Sequence, residues 1–348
     1  MKGKMKTAVM TALRKLEFEE RDIPVPGADE VLVKIEYVGV CGSDLHFFEA
    51  GHIGDCTVTF PFVLGHEAAG TVVETGADVK HLKAGDRVAL EPGKTCGKCE
   101  FCKTGRYNLC SQVEFFATPP YDGVLQEYAV HRADLCFKLP EEVDTLSGAM
   151  IEPLAVGFHA VNQGNARPGQ KAVIMGAGCI GLVTLMALKS YGISQVYVVD
   201  VLEKRLEKAK ELGAAEVING RETDAVKRLM ELTDQEGCDI AFEAAGTQIT
   251  ACQAIRAVKK GASVVLVGYS SSGEMTLPMS LVLDKEIRLQ SVFRYRHIYP
   301  MAIQAVADGR ADVKKIVTNL YDFDQVQRGL DQCIEDKADI VKAAIKIC

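Results

Sequence analysis

The chain has 348 residues, 48% hydrophobic and 25% charged, with 40 Lys and Arg against 47 Asp and Glu for a net charge of -7. That length exceeds one ordinary hydrophobic core and predicts two domains with a cleft, while the balanced composition excludes a disordered or collagen-like chain. The acidic balance, with a pI near 5.6, argues against nucleic acid or an anionic membrane as the main partner, because either needs a concentrated basic face.

The first 150 residues read mostly as β. Short alternating or β-branched runs, Met5–Met10, Glu30–Val40, Ala68–Thr75 and Asp86–Leu90, are separated by turn chemistry such as Lys83-Ala-Gly-Asp86. From Gly169 the texture changes. The continuous apolar runs Lys171–Met175, Gln195–Asp200, Cys238–Phe242 and Ala262–Val267 predict buried parallel strands. Helical patterns lie between them, for instance Leu202–Leu212 stopped by Gly213. This alternation predicts a doubly wound α/β sheet. After Ser291 it weakens, and a helix-like Asp324–Asp336 and a strand-like Ile340–Ile347 are expected to return to the first domain. The longest apolar stretch, Cys179–Leu188, is about half a membrane span, so no membrane crossing is expected. The first ten residues carry lysines but no apolar signal core, and the expected compartment is the cytoplasm.

Gly176-Ala-Gly178-Cys-Ile-Gly181 follows a predicted strand and opens a predicted helix. Its glycines serve a tight turn, close approach of a pyrophosphate to backbone N–H groups, and helix-on-sheet packing. Asp200 ends the next predicted strand, where a carboxylate accepts the ribose hydroxyls and repels a 2′-phosphate. NAD is therefore expected over NADP. Arg205, on the following helix, is read either as an adenine neighbour or as an exposed helix arginine.

Twelve cysteines are too many for a chain of this kind, and their uneven spacing points to metal rather than disulfides. Cys96, Cys99, Cys102 and Cys110 place four thiols in a glycine- and lysine-bounded loop. Four thiolates close a tetrahedron around zinc and leave no open position, which describes a structural site. Lys94, Lys98, Lys103 and Arg106 would offset its charge; a zinc-ribbon nucleic-acid module is the other reading, disfavoured by the acidic chain. A second set is dispersed over Cys41-Gly-Ser-Asp44-Leu-His46, Gly65-His66-Glu67 and Ile151-Glu152-Pro153. Taken singly, each has a bland explanation.

In this order, the dispersed motifs, the four-cysteine lobe and the glycine turn resemble the zinc-dependent medium-chain dehydrogenases over essentially the full length. The polyol branch, sorbitol (L-iditol) and xylitol dehydrogenases, is the most similar. Cys41–His46, Gly51–Asp55, Gly105–Leu109, Phe116–Gly123, Ile151–Leu154 and Val292–Tyr295 carry that resemblance.

The resemblance implies a GroES-like, mainly β catalytic domain over residues 1–153 and 292–348 and a Rossmann NAD-binding domain over 154–291. It implies a catalytic zinc held by Cys41, His66 and Glu67, with Glu152 either a ligand or reached through water. Ser43 and His46 would relay the hydroxyl proton. Ile180, Val267, Gly268, Tyr269, Val292, Phe293 and Arg294 would join Gly176, Gly178, Gly181, Asp200 and Arg205 against the cofactor. Phe47, Phe115, Phe116, Glu152, Arg294 and Tyr295 would face substrate. Phe47 stands where the sorbitol enzymes carry a tyrosine whose hydroxyl helps bind substrate, which leaves room for a shorter or more reduced polyol. The expected reaction is oxidation of a polyol secondary alcohol to a ketose with hydride transfer to NAD, in a homotetramer; 2,3-butanediol or threonine is the alternative substrate. A catalytically silent NAD sensor would lack a zinc ligand or the relay serine, and all are present. His159, in an apolar segment, is read as a satisfied core histidine.

Overall fold

A computed structural model describes residues 2–270 and 273–348. The chain divides into two compact units. The first comprises residues up to Glu152 together with Tyr299–Ala307 and Val317–Cys348; the second comprises Pro153–Ile298 and Asp308–Ile316. The return from the second unit therefore falls at Tyr299 rather than at residue 292. The segment after the last parallel strand, in which Tyr295 and Ile298 are buried, belongs to the second unit.

The first unit is built on a seven-stranded sheet around the strand Glu30–Val40. Its burial alternates only in part, because seven of its eleven side chains lie inside the core. Glu67–Thr75, Tyr128–Arg132 and Lys342–Lys346 all pair with it antiparallel. The C-terminal strand thus returns to the first unit, and Val317–Asp322 adds to it in parallel. The helix Val326–Glu335 packs on this end and buries Val326, Leu330 and Cys333.

The second unit is a six-stranded parallel sheet in the order Glu216–Asn219, Gln195–Asp200, Lys171–Met175, Cys238–Glu243, Val258–Leu266, Arg288–Ser291. This is the doubly wound order 3-2-1-4-5-6, whose direction reverses between Lys171–Met175 and Cys238–Glu243. Val173, Ile174, Val198, Ile240 and Phe242 are essentially inaccessible, as expected for strands covered on both faces. Among the described residues, no helix is long and apolar enough to cross a membrane.

Candidate metal centres and dinucleotide site

The dispersed set is assembled where one strand stops. Glu30–Val40 runs directly into Cys41; Gly39 faces Glu67 on one neighbour and Val40 faces Ala343 on the other. The ligand atoms of Cys41, His66 and Glu67 lie within 4.8 Å of one another, with Cys41 half-buried and the other two buried. Gly65 turns the chain into this corner at φ 89°, and a side chain there would meet Val38 and Leu125. A Cβ on Gly39 would lie 2.0 Å from Glu67 Oε2, so the carboxylate fills the space that a side chain would take.

Two residues to which the sequence assigned no role hold this set. Asp44, buried in the first turn of the helix Gly42–Ala50, accepts the N–H of Cys41 at 3.0 Å and that of Gly65 at 2.9 Å. Its carboxylate also lies 3.6 Å from His66 Nδ1. Burial alone would lower the pKa of His66, but the charges of Asp44 and Cys41 outweigh it and raise that pKa well above the usual value. Burial likewise opposes ionisation of Asp44, whose carboxyl is nonetheless held low by His66 and the two N–H groups. A carboxylate behind a metal-binding imidazole fixes the ring's orientation and strengthens it as a donor. Lys342 is the other: 3% exposed, it donates from Nζ to the Val40 carbonyl at 2.9 Å and to the Glu67 carboxylate at 2.5 Å. The available signal was Lys342 among the apolar residues of Ile340–Ile345, since a lysine buried in a strand needs a partner.

Ser43 and His46 share the helix Gly42–Ala50, Ser43 half-buried and His46 exposed. Glu152 is buried in the first turn of the helix Ile151–Gly164 and stands outside the three-residue ligand set. The Phe115 ring lies 5.7 Å from that of His66, and Phe116 lies 4.6 Å from His131. Both phenylalanines line a cavity of about 430 Å³ together with Phe62, Lys94, Tyr121 and Asp122. Phe47, on the same helix as Ser43, is 3% exposed and packs edge-on to Phe62 at 6.3 Å.

The four-cysteine lobe is local. Its four sulfurs lie within 4.8 Å of one another, with Cys99 and Cys102 at 3.5 Å and Cys96 and Cys102 at 3.9 Å. A tetrahedron with zinc–sulfur bonds of about 2.3 Å has sulfur–sulfur edges of about 3.8 Å, so the donor set fits that ion. The backbone N–H groups of Lys98 and Cys99 pull the Cys96 thiol down to about 6. Lys94 does not serve the lobe as a free charge, because it pairs with Glu30 at 3.0 Å. Arg132, which reaches the Thr95 carbonyl at 3.2 Å and interacts with Cys102, contributes instead.

In the second unit Gly176 adopts φ 103°, and a Cβ on Gly181 would lie 1.9 Å from the Gly176 carbonyl oxygen. Gly178 begins the helix Cys179–Ser190. Asp200, at its strand's end, accepts the Ala177 N–H at 2.6 Å and the N–H groups of Val201 and Leu202 at 2.7 and 2.9 Å, so it also braces the glycine turn. Arg205 Nη1 lies 3.7 Å from where a Gly178 Cβ would be, which places the guanidinium at that turn. Ile180, Val267 and Gly268 are half-buried and Tyr269 is exposed. Along Val292–Tyr295, Phe293 is exposed with the Arg294 guanidinium 4.8 Å over its ring, whereas Tyr295 is buried. Arg294 and His297 both adopt positive φ, 54° and 55°. His159 is buried as expected, with its pKa lowered to about 4, but its Nε2 has no partner among the described residues, so it is not a satisfied core histidine.

A family model for the alcohol dehydrogenase GroES-like domain matches residues 27–141, and one for zinc-binding dehydrogenase matches 179–308. The chain is 44% identical to an uncharacterized zinc-type alcohol dehydrogenase-like protein, YdjJ, of Escherichia coli, with 98% of each chain covered. It is 41% identical to the sorbitol dehydrogenase of Bacillus subtilis, covering 98% of this chain and 97% of the relative. Human sorbitol dehydrogenase is 42% identical, with 93% of each covered. Among solved structures, an Escherichia coli oxidoreductase of unknown specificity superposes with a TM-score of 0.96 at 44% identity, covering 99% of this chain and 100% of that one. The 2R,3R-butanediol dehydrogenase of Bacillus subtilis gives 0.91 at 30% identity, covering 99% and 100%.

Proposed function

Because the chain belongs to the zinc-dependent medium-chain dehydrogenase superfamily, we propose that it oxidises a secondary alcohol of a sorbitol- or xylitol-type polyol to a ketose, with NAD as the hydride acceptor. The convergence of Cys41, His66 and Glu67 at one strand end carries this reading. Bound there, zinc would supply the Lewis acidity that lowers the pKa of a substrate hydroxyl, and NAD would supply the oxidant.

The chain's own residues do the rest. Asp44 orients His66, and Lys342 restrains Glu67 while offsetting one of the negative charges gathered there. Ser43, two residues after Cys41, takes the hydroxyl proton, and exposed His46 on the same helix hands it towards solvent. Glu152 acts as a further acidic group for the metal's water or the substrate. Phe115 and Phe116 supply an apolar wall beside His66. The Gly176–Gly181 turn takes the pyrophosphate, and Asp200 takes the adenosine ribose. Asp200 is also what favours NAD over NADP, with Arg205 at the turn as the countering charge. A cytoplasmic homotetramer belongs to the same reading.

A vicinal diol such as 2,3-butanediol is the second substrate class. Phe47 favours it, since a phenylalanine there offers no hydroxyl to pair with a long polyol.

Initial rates on sorbitol, xylitol, threitol, 2,3-butanediol, threonine and ethanol with both cofactors test the assignment. Highest kcat/KM on a polyol with NAD is expected; preference for ethanol or threonine would contradict it. Asp200→Ala is expected to shift the NAD to NADP preference by about tenfold, the loss of one charged hydrogen bond. An unchanged ratio would place the ribose contact elsewhere.

A further inference from the structure

Glu243 ends the strand Cys238–Glu243 where the strand order reverses, directly beside Met175, the residue before the glycine turn. It is fully buried. One side-chain oxygen, Oε1, accepts the N–H groups of Ala245 and Gly246, each at 2.9 Å, and the Thr250 hydroxyl at 2.8 Å. Its main-chain carbonyl accepts the N–H groups of Val267 at 2.8 Å and Gly268 at 2.9 Å. The other oxygen, Oε2, is buried and has no partner among the described residues. The surrounding backbone allows no side chains: a Cβ on Gly268 would lie 2.9 Å from Oε2 and 2.2 Å from the Gly246 nitrogen, and one on Gly176 would lie 2.9 Å from the Ala245 nitrogen.

A buried carboxylate with one bare oxygen destabilises the fold unless it does something that a smaller cap cannot. Here one residue gathers four backbone N–H groups from two turns that flank the sheet's switch point, where ligands of open α/β sheets bind. With those donors drawn inward, Ala245, Gly246, Val267 and Gly268 have only their carbonyl oxygens left to offer. They suit a ligand portion rich in donors and poor in negative charge. The helix N-terminus at Gly178 offers the opposite, free N–H groups that suit phosphate.

We propose that Glu243 is a positioning residue of the dinucleotide site, its side chain setting the polarity of the Ala244–Thr247 turn so that this turn accepts the hydroxyl and amide donors of the nicotinamide nucleoside rather than the phosphates. This rests on the dehydrogenase reading above. It predicts that damage at Glu243 is felt by the nicotinamide half of the cofactor and spared by the adenine half.

The test is direct binding to the metal-loaded full chain, with NADH followed by fluorescence and ADP by competition. Glu243→Ala is expected to raise the NADH Kd about tenfold and to leave the ADP Kd within about twofold. Glu243→Gln keeps an acceptor at Oε1 and is expected to leave both within about twofold of wild type. Should the alanine variant fail to fold, Glu243→Asp withdraws the carboxylate by one methylene and is expected to weaken NADH about threefold with ADP unchanged. Equal weakening of NADH and ADP, or of neither, in the alanine or aspartate variant would overturn the role of Glu243. A wild-type chain that binds neither nucleotide would contradict the dehydrogenase reading and this role with it.

Discussion

The two cysteine-containing clusters of the first unit are built in opposite ways. The lobe of Cys96, Cys99, Cys102 and Cys110 takes all its donors from one loop, keeps most of them half-exposed, and is shaped by N–H groups of that same loop. Cys41, His66 and Glu67 come from two segments brought together by the sheet and by Asp44, and they sit in a corner where Asp44 and Lys342 are buried beside them. A local, closed site needs only its own turns. A dispersed, largely buried one needs the fold to supply counter-charges, because a buried carboxylate or imidazole without a partner is destabilising.

The largest effect that separates the two clusters is on turnover. Cys41→Ser is expected to lower kcat by about a thousandfold or more while leaving NADH binding intact, since only the metal's Lewis acidity is lost. Cys99→Ser is expected to lower thermal stability instead, with kcat at permissive temperature reduced far less. Steady-state rates and melting curves on both variants check this, and equal loss of kcat in the two would erase the distinction.

Next in size is the buried ion pair. Lys342→Met leaves the Glu67 carboxylate without its partner and is expected to cost about 3–5 kcal/mol of stability, read from denaturant midpoints. A change below about 1 kcal/mol would show that Glu67 does not depend on Lys342. No residue of the lobe is expected to show a comparable dependence on a single distant lysine.

The smallest effect concerns pH, beside the lobe. Tyr107, from the lobe, donates to the Glu91 carboxylate at 2.7 Å, and His131 approaches the Glu91 carbonyl at 2.7 Å. Burial pushes Glu91 up to about 7 and His131 down to about 4. Stability from a depressed histidine is full above about pH 6.5 and is lost as pH falls towards 4. Stability from a raised carboxyl is full below about 4.5 and is lost as pH rises towards 7. The two slopes oppose each other between about pH 4.5 and 6.5. Glu91→Gln removes one of them, so its stability is expected to fall on acidification more steeply than wild type, by about 1.4 kcal/mol per pH unit. Denaturant midpoints at several pH values would show it, and parallel curves would contradict it.

The same contrast explains what the sequence revealed. The lobe was legible because its donors are neighbours in the chain. The parallel strands were legible because burial on both faces leaves continuous apolar runs, and Lys171–Met175 and Gln195–Asp200 have the predicted bounds. Asp44 and Lys342 were not legible as partners, since their meaning arises only when Gly39 faces Glu67 and Val40 faces Ala343. The late return of the chain at Tyr299 escaped notice because the segment 292–298 has no strand or helix periodicity of its own.

The central claim is that the dispersed corner is a metal centre in its own right, independent of the lobe. Metal analysis of purified wild type, Cys41→Ser and Cys99→Ser tests it most directly. The expected result is about two zinc per chain in wild type and about one in each variant, from the two donor sets. About one in wild type, or an undiminished count in Cys41→Ser, would contradict it.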